Sequence, residues 1–327
     1  MPQTFLDLIA SNKRNSAILV ACFVLFTLIV ALVFALVIMY QIDPNAALEA
    51  NLWRSLIVGG IAAGIAGLMA FVSFYQGDKM ILAVSGAKPL EKKDDPQLYN
   101  VVEELAIAAG LPMPQVYLIE DSAPNAFATG RDPQHASVAI TRGLREKLNR
   151  EELQGVLAHE MSHIRNYDIR LMLLLAVLIG TIVMLSDFFW QILRFGPSRS
   201  SRSSSSDKDG KGGGGAIMIV LFVIAIILAI IAPILAQIIQ LAVSRQREYL
   251  ADASAVQLTR NPLGLAHALK VIDDDPDVLE TANRGTAHLY IANPVKSFEA
   301  RANSMFASHP PIKDRIARLE ALVGQTA

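Results

Sequence analysis

Cysteine is almost absent from this 327-residue chain, and charged residues are scarce. The single cysteine, Cys22, excludes an intramolecular disulfide and any metal site built from several cysteines. Charged residues make up 18% of the sequence, against about 25% in an ordinary soluble protein. The formal net charge is −1, so the chain lacks the basic excess that nucleic-acid binding requires, and we expect no nucleic-acid partner.

Long apolar runs, with Asp187 as their one charged residue, accompany this shortage of charge. Apolar residues make up 53% of the chain, and four runs are each long enough to cross about 30 Å of hydrocarbon as a helix. They occupy about 17–40, 55–75, 171–193 and 216–243. We therefore predict an α-helical membrane protein with four transmembrane helices in contact with the lipid bilayer. A cleavable signal peptide is the alternative for the first run, and a buried core hairpin is the alternative for the others.

The polar segments between these runs predict one domain built in two parts. Four crossings place both parts on the same side as the N-terminus, and the basic residues that flank the runs there favour the cytoplasm. Basic residues in the loop between the last two runs are a contrary signal. The predicted division is an N-terminal segment 1–16, spans 1 and 2 within 17–75, a catalytic part 76–170, spans 3 and 4 within 171–243 with a flexible Ser/Gly-rich loop 194–215, and a second catalytic part 244–327.

Local patterns in the first polar part predict a small sheet beside helices. Apolar residues at helical spacing follow Asp95, and three short strand-like stretches occupy 115–120, 125–130 and 137–141. We predict that these strands form an antiparallel sheet. Asn149, with Glu152 three residues later, predicts the capped start of a further helix.

That helix carries the sequence His159-Glu160-Met161-Ser162-His163. Histidines four residues apart share a helix face and can bind one metal ion. Glu160 can reach a water molecule on the metal without being a ligand, as a general base for hydrolysis must. The motif predicts a hydrolytic site with one Zn²⁺ ion per chain. Two solvated histidines are the alternative.

A third zinc ligand must come from elsewhere, because hydrolytic zinc sites normally have three protein ligands. The residues after His163 lack the metzincin continuation H-x-x-G-x-x-H. Glu248 is the candidate, and Asp252, one helical turn later, can accept the N–H of a ligating histidine. The motif helix runs into the third span and the Glu248 helix leaves the fourth, so we predict a site close to the membrane. A scaffold or receptor with a structural zinc, closed by His309 as a fourth ligand, is the alternative.

The order of these features along the chain resembles the HtpX-type heat-shock membrane metalloproteases, relatives of the CAAX prenyl endopeptidases. The features are two spans, Asn125-Ala-Phe-Ala-Thr-Gly130, His159-Glu160-x-x-His163, two more spans, Glu248-x-x-x-Asp252 and a late His309-Pro310. The resemblance covers nearly the whole chain. It implies a mainly α, zincin-like (gluzincin) catalytic domain. In that family the equivalents of His159, His163 and Glu248 bind zinc, and the equivalent of Glu160 is the catalytic base.

The resemblance also implies how a substrate binds. The segment Asn125, Ala126, Phe127, Ala128 and Thr129 resembles the edge strand of the family, along which an extended peptide pairs through its main chain. An ordinary sheet edge is the alternative. His309 and Arg315 resemble a pair that approaches the site, where a donor can stabilise an oxyanion, and purely structural roles are the alternative.

The implied function is that of a zinc endopeptidase. It acts in the bacterial inner membrane with its catalytic domain facing the cytoplasm. Its substrates are misfolded or damaged membrane proteins or other polypeptides, which makes it part of protein quality control and the stress response. A prenyl-protein protease is the alternative, although such an enzyme should need more than four spans to enclose its substrate.

Overall fold

The computed structural model describes residues 46–174, 247–280, 289–292 and 310–323, with isolated positions between 14 and 43 and at Ile226. The chain forms two compact units. One contains 18–71 and 178–236, and the other, here called the larger unit, contains 1–17, 72–177 and 237–327. The predicted spans 171–193 and 216–243 and the predicted loop 194–215 lie almost entirely outside the described residues. The predicted span 17–40 is described only at scattered positions, which are helical.

Helix α1 is the longest described element, at 37 residues from Leu48 to Val84. It includes the predicted second span, whose side chains are described in part. Large apolar side chains on it, among them Trp53, Ile57 and Phe71, are exposed. Among the described residues, no helix combines the length and the apolar character needed to cross a membrane. The four spans stay a prediction.

The larger unit contains a four-stranded sheet. Its strands are β1 (Ala87–Pro89), β2 (Gln115–Ile119), β3 (Ala126–Gly130) and β4 (Ala136–Thr141), in the order β1-β2-β4-β3. The pairs β1–β2 and β3–β4 are antiparallel, whereas β2 and β4 are parallel. The prediction of an antiparallel sheet is therefore wrong, because the sheet is mixed.

Two chain reversals explain the mixed pairing. The chain reverses between β2 and β3 without pairing these strands, and it reverses again through the short 3-10 helix Pro133–His135. β4 then returns between β2 and β3 and runs in the same direction as β2. Turn residues in the sequence reveal both reversals, but they do not reveal which strand lies between β2 and β3. β3 is left as an edge strand of the sheet.

Seven further helices are described in the larger unit. They are α2 (Pro96–Ala109), α3 (Arg142–Lys147), α4 (Arg150–Arg165), α5 (168–174), α6 (247–259), α7 (Pro262–Asp274) and α8 (Ile312–Ala321). The predicted cap of α4 is confirmed: the Asn149 side chain accepts from the N–H groups of Glu151 and Glu152, and the Glu152 carboxylate accepts from the Asn149 N–H. Because the start of α4 is fixed in this way, the faces on which its histidines lie are fixed as well.

The sheet separates two apolar clusters. The larger one joins residues of α2, α4, α7 and α8 to Ala126 and Ala128 of β3. The smaller one joins Phe127 to the end of α1 and to Tyr290. Neighbouring side chains of β3 therefore pack on opposite faces, as alternation along a strand requires.

Gly155 allows α4 to lie directly against the start of α7. A Cβ added there would lie 2.7 Å from the amide nitrogen and 2.9 Å from the Cα of Leu265. Gly155→Ala should therefore lower the free energy of unfolding by about 1–3 kcal/mol, as overpacking in a core does. Denaturant unfolding of the full chain measures the change. Gly60→Ala is the control, because a Cβ at Gly60 has nothing within 4 Å among the described residues. Equal losses in the two variants would contradict the packing argument.

Candidate active site

Three buried side chains from two helices converge on one point. The Nε2 atoms of His159 and His163, one turn apart on α4, are 3.1 Å from each other. The carboxylate of Glu248 on α6 approaches both, at 3.6 Å from His159 Nε2 and 3.5 Å from His163 Nε2. One ligand atom from each residue lies within 4.8 Å of the others. The structure thus brings together the three residues predicted to bind metal.

The donor set and its spacing fit a zinc ion. Two imidazole nitrogens and one carboxylate oxygen form a known ligand set of hydrolytic zinc sites. Ligands of a tetrahedral ion at about 2.0–2.1 Å are about 3.3 Å apart, close to the observed separations. The Nδ1 atoms of both histidines are engaged by aspartates, which leaves their Nε2 atoms directed at the Glu248 carboxylate.

Glu160 lies next to His159 on α4 but outside the group that could hold the metal. It is buried, and burial raises the pKa of its carboxyl group above the ordinary value. The neighbouring histidines and a backbone hydrogen bond from Ala128 of β3 oppose that rise. A buried carboxyl group with a raised pKa, beside a group that could hold a metal and beside an edge strand, is suited to accept and return a proton.

His159 is oriented by Asp252, one turn after Glu248 on α6. The Asp252 carboxylate lies 2.9 Å from His159 Nδ1, which turns Nε2 toward Glu248. Arg315 on α8 donates to both oxygens of Asp252, over 2.9 and 2.7 Å. Burial alone would raise the pKa of Asp252, but Arg315 and His159 lower it to about 2. Asp252 is therefore an ionised acceptor, as the orientation of a ligating histidine requires.

His163 has an equivalent arrangement that sequence reasoning missed. Asp168 Oδ2 lies 3.1 Å from His163 Nδ1, and Arg247 Nη1 lies 3.2 Å from Asp168 Oδ1. Tyr167 adopts a left-handed φ of 61°, which ends α4 and brings Asp168, at the start of α5, back to the histidine. The signal in the sequence was an acid five residues after the motif together with a basic residue directly before Glu248. Each histidine thus has its own aspartate and arginine.

Asp168→Ala should weaken zinc binding by about 10–100-fold, because the loss of an orienting partner of a metal-binding histidine typically has that effect. Competition with a chromophoric chelator measures the zinc affinity of the purified full chain. Asp273→Ala, an exposed aspartate on α7, is the matched control and should leave the affinity unchanged. Equal zinc affinities for Asp168→Ala and the wild type would refute the orienting role.

The predicted substrate strand is buried and lies at the sheet edge. The Asn125 carbonyl accepts from the Thr141 N–H of β4, so the main-chain groups of alternate residues from Asn125 onward face β4. Those of Ala126, Ala128 and Gly130 therefore face away from β4. The Ala128 hydrogen bond to Glu160 places this side of β3 beside the Glu160 carboxylate.

The two remaining predicted site residues differ in outcome. His309 lies outside the described residues. Arg315 lies fully buried in the site, where Nη1 donates to the Ile291 carbonyl over 2.9 Å and approaches Glu248 to 3.5 Å. Its other donors bind Asp252. The oxyanion role implied for Arg315 stays a prediction.

Comparison with known proteins places the chain in a family. The model of peptidase family M48 matches residues 92–323. Proteins described as "Protease HtpX homolog" are similar along much of their length. The one from Thermoanaerobacter pseudethanolicus is 44% identical over 255 residues, 78% of this chain and 81% of the relative. Those from Listeria monocytogenes and Levilactobacillus brevis are 43% and 42% identical, over 95% and 97% of this chain and 98% and 99% of the relatives.

Among solved structures, the crystal structure of S. mikatae Ste24p matches 88% of this chain and 61% of its own chain, at 19% sequence identity and a TM-score of 0.45. The sequence matches alone suffice for assignment, and they confirm the resemblance to the HtpX proteases. The chain belongs to peptidase family M48, and it is a metalloprotease.

Proposed function

We propose that this chain is a membrane-associated zinc endopeptidase, with one zinc ion held by His159, His163 and Glu248 and with Glu160 as general base. The observation that carries the proposal is the convergence of two imidazoles and one carboxylate beside the buried carboxyl group of Glu160. Zinc in such a site supplies a Lewis acid that polarises a carbonyl group and makes water acidic enough to attack it near neutral pH.

The residues of the chain have separate tasks in this hydrolysis. Glu160 accepts a proton from the attacking water and then delivers it to the leaving amine of the cleaved peptide bond. Asp252 and Asp168 accept hydrogen bonds from the Nδ1–H groups of His159 and His163, so that both Nε2 lone pairs would be available to the ion. Arg315 and Arg247 form ion pairs with these two aspartates and hold them in place.

The substrate binds as an extended chain along β3. Main-chain hydrogen bonds to an edge strand supply affinity with little selection of side chains. Such binding suits an unfolded or damaged polypeptide, which exposes extended segments that a folded protein buries.

The membrane location rests on the sequence. Four apolar runs of spanning length, of which only the third contains a charged residue (Asp187), and their basic flanks support a multi-pass protein of the bacterial inner membrane whose catalytic domain faces the cytoplasm. The exposed apolar side chains of α1 agree with contact with lipid, because soluble surfaces rarely carry so many together. Misfolded or damaged membrane proteins are the proposed substrate class, and quality control is the proposed role.

Metal analysis combined with a cleavage assay tests this function. The purified full chain should bind one zinc ion and cleave an unfolded membrane-protein substrate. A chelator should abolish cleavage and added zinc should restore it. Glu248→Ala should lose most of its bound zinc together with its activity, because two histidines alone hold the ion weakly. Undiminished cleavage by metal-free protein would refute the proposal.

A further inference from the structure

A short stretch of chain closes one end of the β3 edge. Residues 289–292 are all buried, and three hydrogen bonds connect them to the site. The Ile291 N–H donates to the Ala126 carbonyl over 2.9 Å, and Arg315 Nη1 donates to the Ile291 carbonyl over 2.9 Å. Asn125 Nδ2 donates to the Ala292 carbonyl over 3.1 Å. The main chain of this stretch thus takes positions that an extended peptide on the edge would otherwise use.

The stretch is held on both faces of the sheet. Tyr290 packs edge-to-face on Phe127, with ring centroids 5.0 Å apart, and its hydroxyl lies 3.2 Å from Ser85 Oγ. Ile291 and Ala292 belong to the apolar cluster on the opposite face, with Ala126 and Ala128. A chain anchored on both faces must pass around the edge, and it does so at Ala126. These contacts fix it in place.

The edge that remains for a substrate is short. The Ala126 N–H donates to Asn125 Oδ1 over 3.0 Å and its carbonyl accepts from Ile291, so both main-chain groups of Ala126 are used within the protein. The next outward-facing residues are Ala128 and Gly130. The Ala128 N–H donates to the Glu160 carboxylate, so Ala128 offers a substrate its carbonyl, and β3 ends at Gly130. Within the described part of the chain, these two residues alone continue the edge.

We propose that Leu289–Ala292 is a fixed end wall of the peptide-binding edge and limits substrate pairing to Ala128 and Gly130. This inference rests on the proposed endopeptidase function. The enzyme then recognises only a very short extended segment by its main chain. Toward Ala126, the substrate chain must turn away from β3 within about two residues of the substrate residue that pairs with Ala128. The wall therefore determines how much extended chain a substrate must offer.

A scan of N-methylated peptides tests the length of this edge. A peptide that the zinc-loaded wild-type protein cleaves is methylated at one main-chain nitrogen at a time, and the scissile amide is left out. Methylation should lower kcat/KM by about tenfold at one or two positions that lie two residues apart, because each lost hydrogen bond weakens binding of the transition state. Three or more alternate positions at which methylation lowers kcat/KM would contradict the proposed end wall, because the substrate would then pair along a longer edge. Sensitivity at none, with cleavage intact, would overturn pairing on β3.

Hydrogen exchange tests whether the wall is fixed. In the zinc-loaded Glu160→Gln full chain, the amides of 289–292 should exchange slowly, and a saturating amount of the unmethylated peptide should leave their rates unchanged. Fast exchange, or a marked change on peptide addition, would show a movable segment and would overturn the proposal. Failure of the zinc-loaded wild-type protein to cleave any peptide would instead refute the endopeptidase function on which the inference rests.

Discussion

Replacing Glu160 by glutamine should lower kcat for peptide hydrolysis by about 10²–10⁴-fold while one zinc ion stays bound. Glutamine has the shape of glutamate but cannot accept the proton of the attacking water. Glu160 is outside the group of residues that could hold the metal, so the ion should not depend on it. The measurement is kcat for a fluorogenic peptide, with the zinc content of the same protein sample determined in parallel.

Glu151→Gln is the matched control for this substitution. Glu151 is on the same helix but exposed, and its carboxylate accepts a hydrogen bond from Asn261 that a glutamine can also accept. The control should keep wild-type activity. Undiminished activity of Glu160→Gln would refute the role of general base, and loss of zinc from that variant would show a structural role instead.

Removing the Arg315 guanidinium should lower the free energy of unfolding by about 3–5 kcal/mol, the usual effect of leaving one member of a buried ion pair without its partner. Arg315→Ala leaves Asp252 buried without its paired charge, and the Ile291 carbonyl loses its donor. Zinc affinity should fall as well, because Asp252 orients His159. Arg315→Lys should recover only part of the stability, since an ammonium group cannot donate to both carboxylate oxygens in the same fork geometry.

Arg318→Ala separates this effect from a general loss of charge on α8. Arg318 is exposed and lies over the ring of Tyr249, at 3.7 Å from the ring centroid, a contact worth about 0.5–1 kcal/mol. Denaturant unfolding of the metal-free full chains measures both variants. Equal losses for Arg315→Ala and Arg318→Ala would contradict the account of the buried network.

The parts of the site that the sequence predicts are those fixed by local geometry. The helical period places His159 and His163 on one face and puts Asp252 one turn from Glu248, and the Asn149 cap marks where the motif helix begins. Histidine and carboxylate at such spacings imply zinc chemistry without knowledge of the fold. The position of Glu248 just after the fourth run, one turn before Asp252, made it the candidate for the distant third ligand, and the family resemblance implied the same residue.

What could not be predicted depends on contacts between distant segments. β2 and β4 pair in parallel because β4 lies between β2 and β3, and the turn residues do not encode which strand takes that position. Asp168 becomes a partner of His163 only because Tyr167 takes a left-handed conformation. The stretch 289–292 contains no charged residue or motif, so nothing in its composition indicated that it closes the substrate edge.

The most direct test of the central claim is X-ray absorption at the zinc edge of the purified full chain, together with its zinc content. We predict one zinc ion with two imidazole ligands and oxygen ligands at about 2.0–2.2 Å in the wild type, and little bound zinc in Glu248→Ala. A third imidazole from His309, which would close the site with a fourth protein ligand, or a sulfur ligand at about 2.3 Å, would contradict the account.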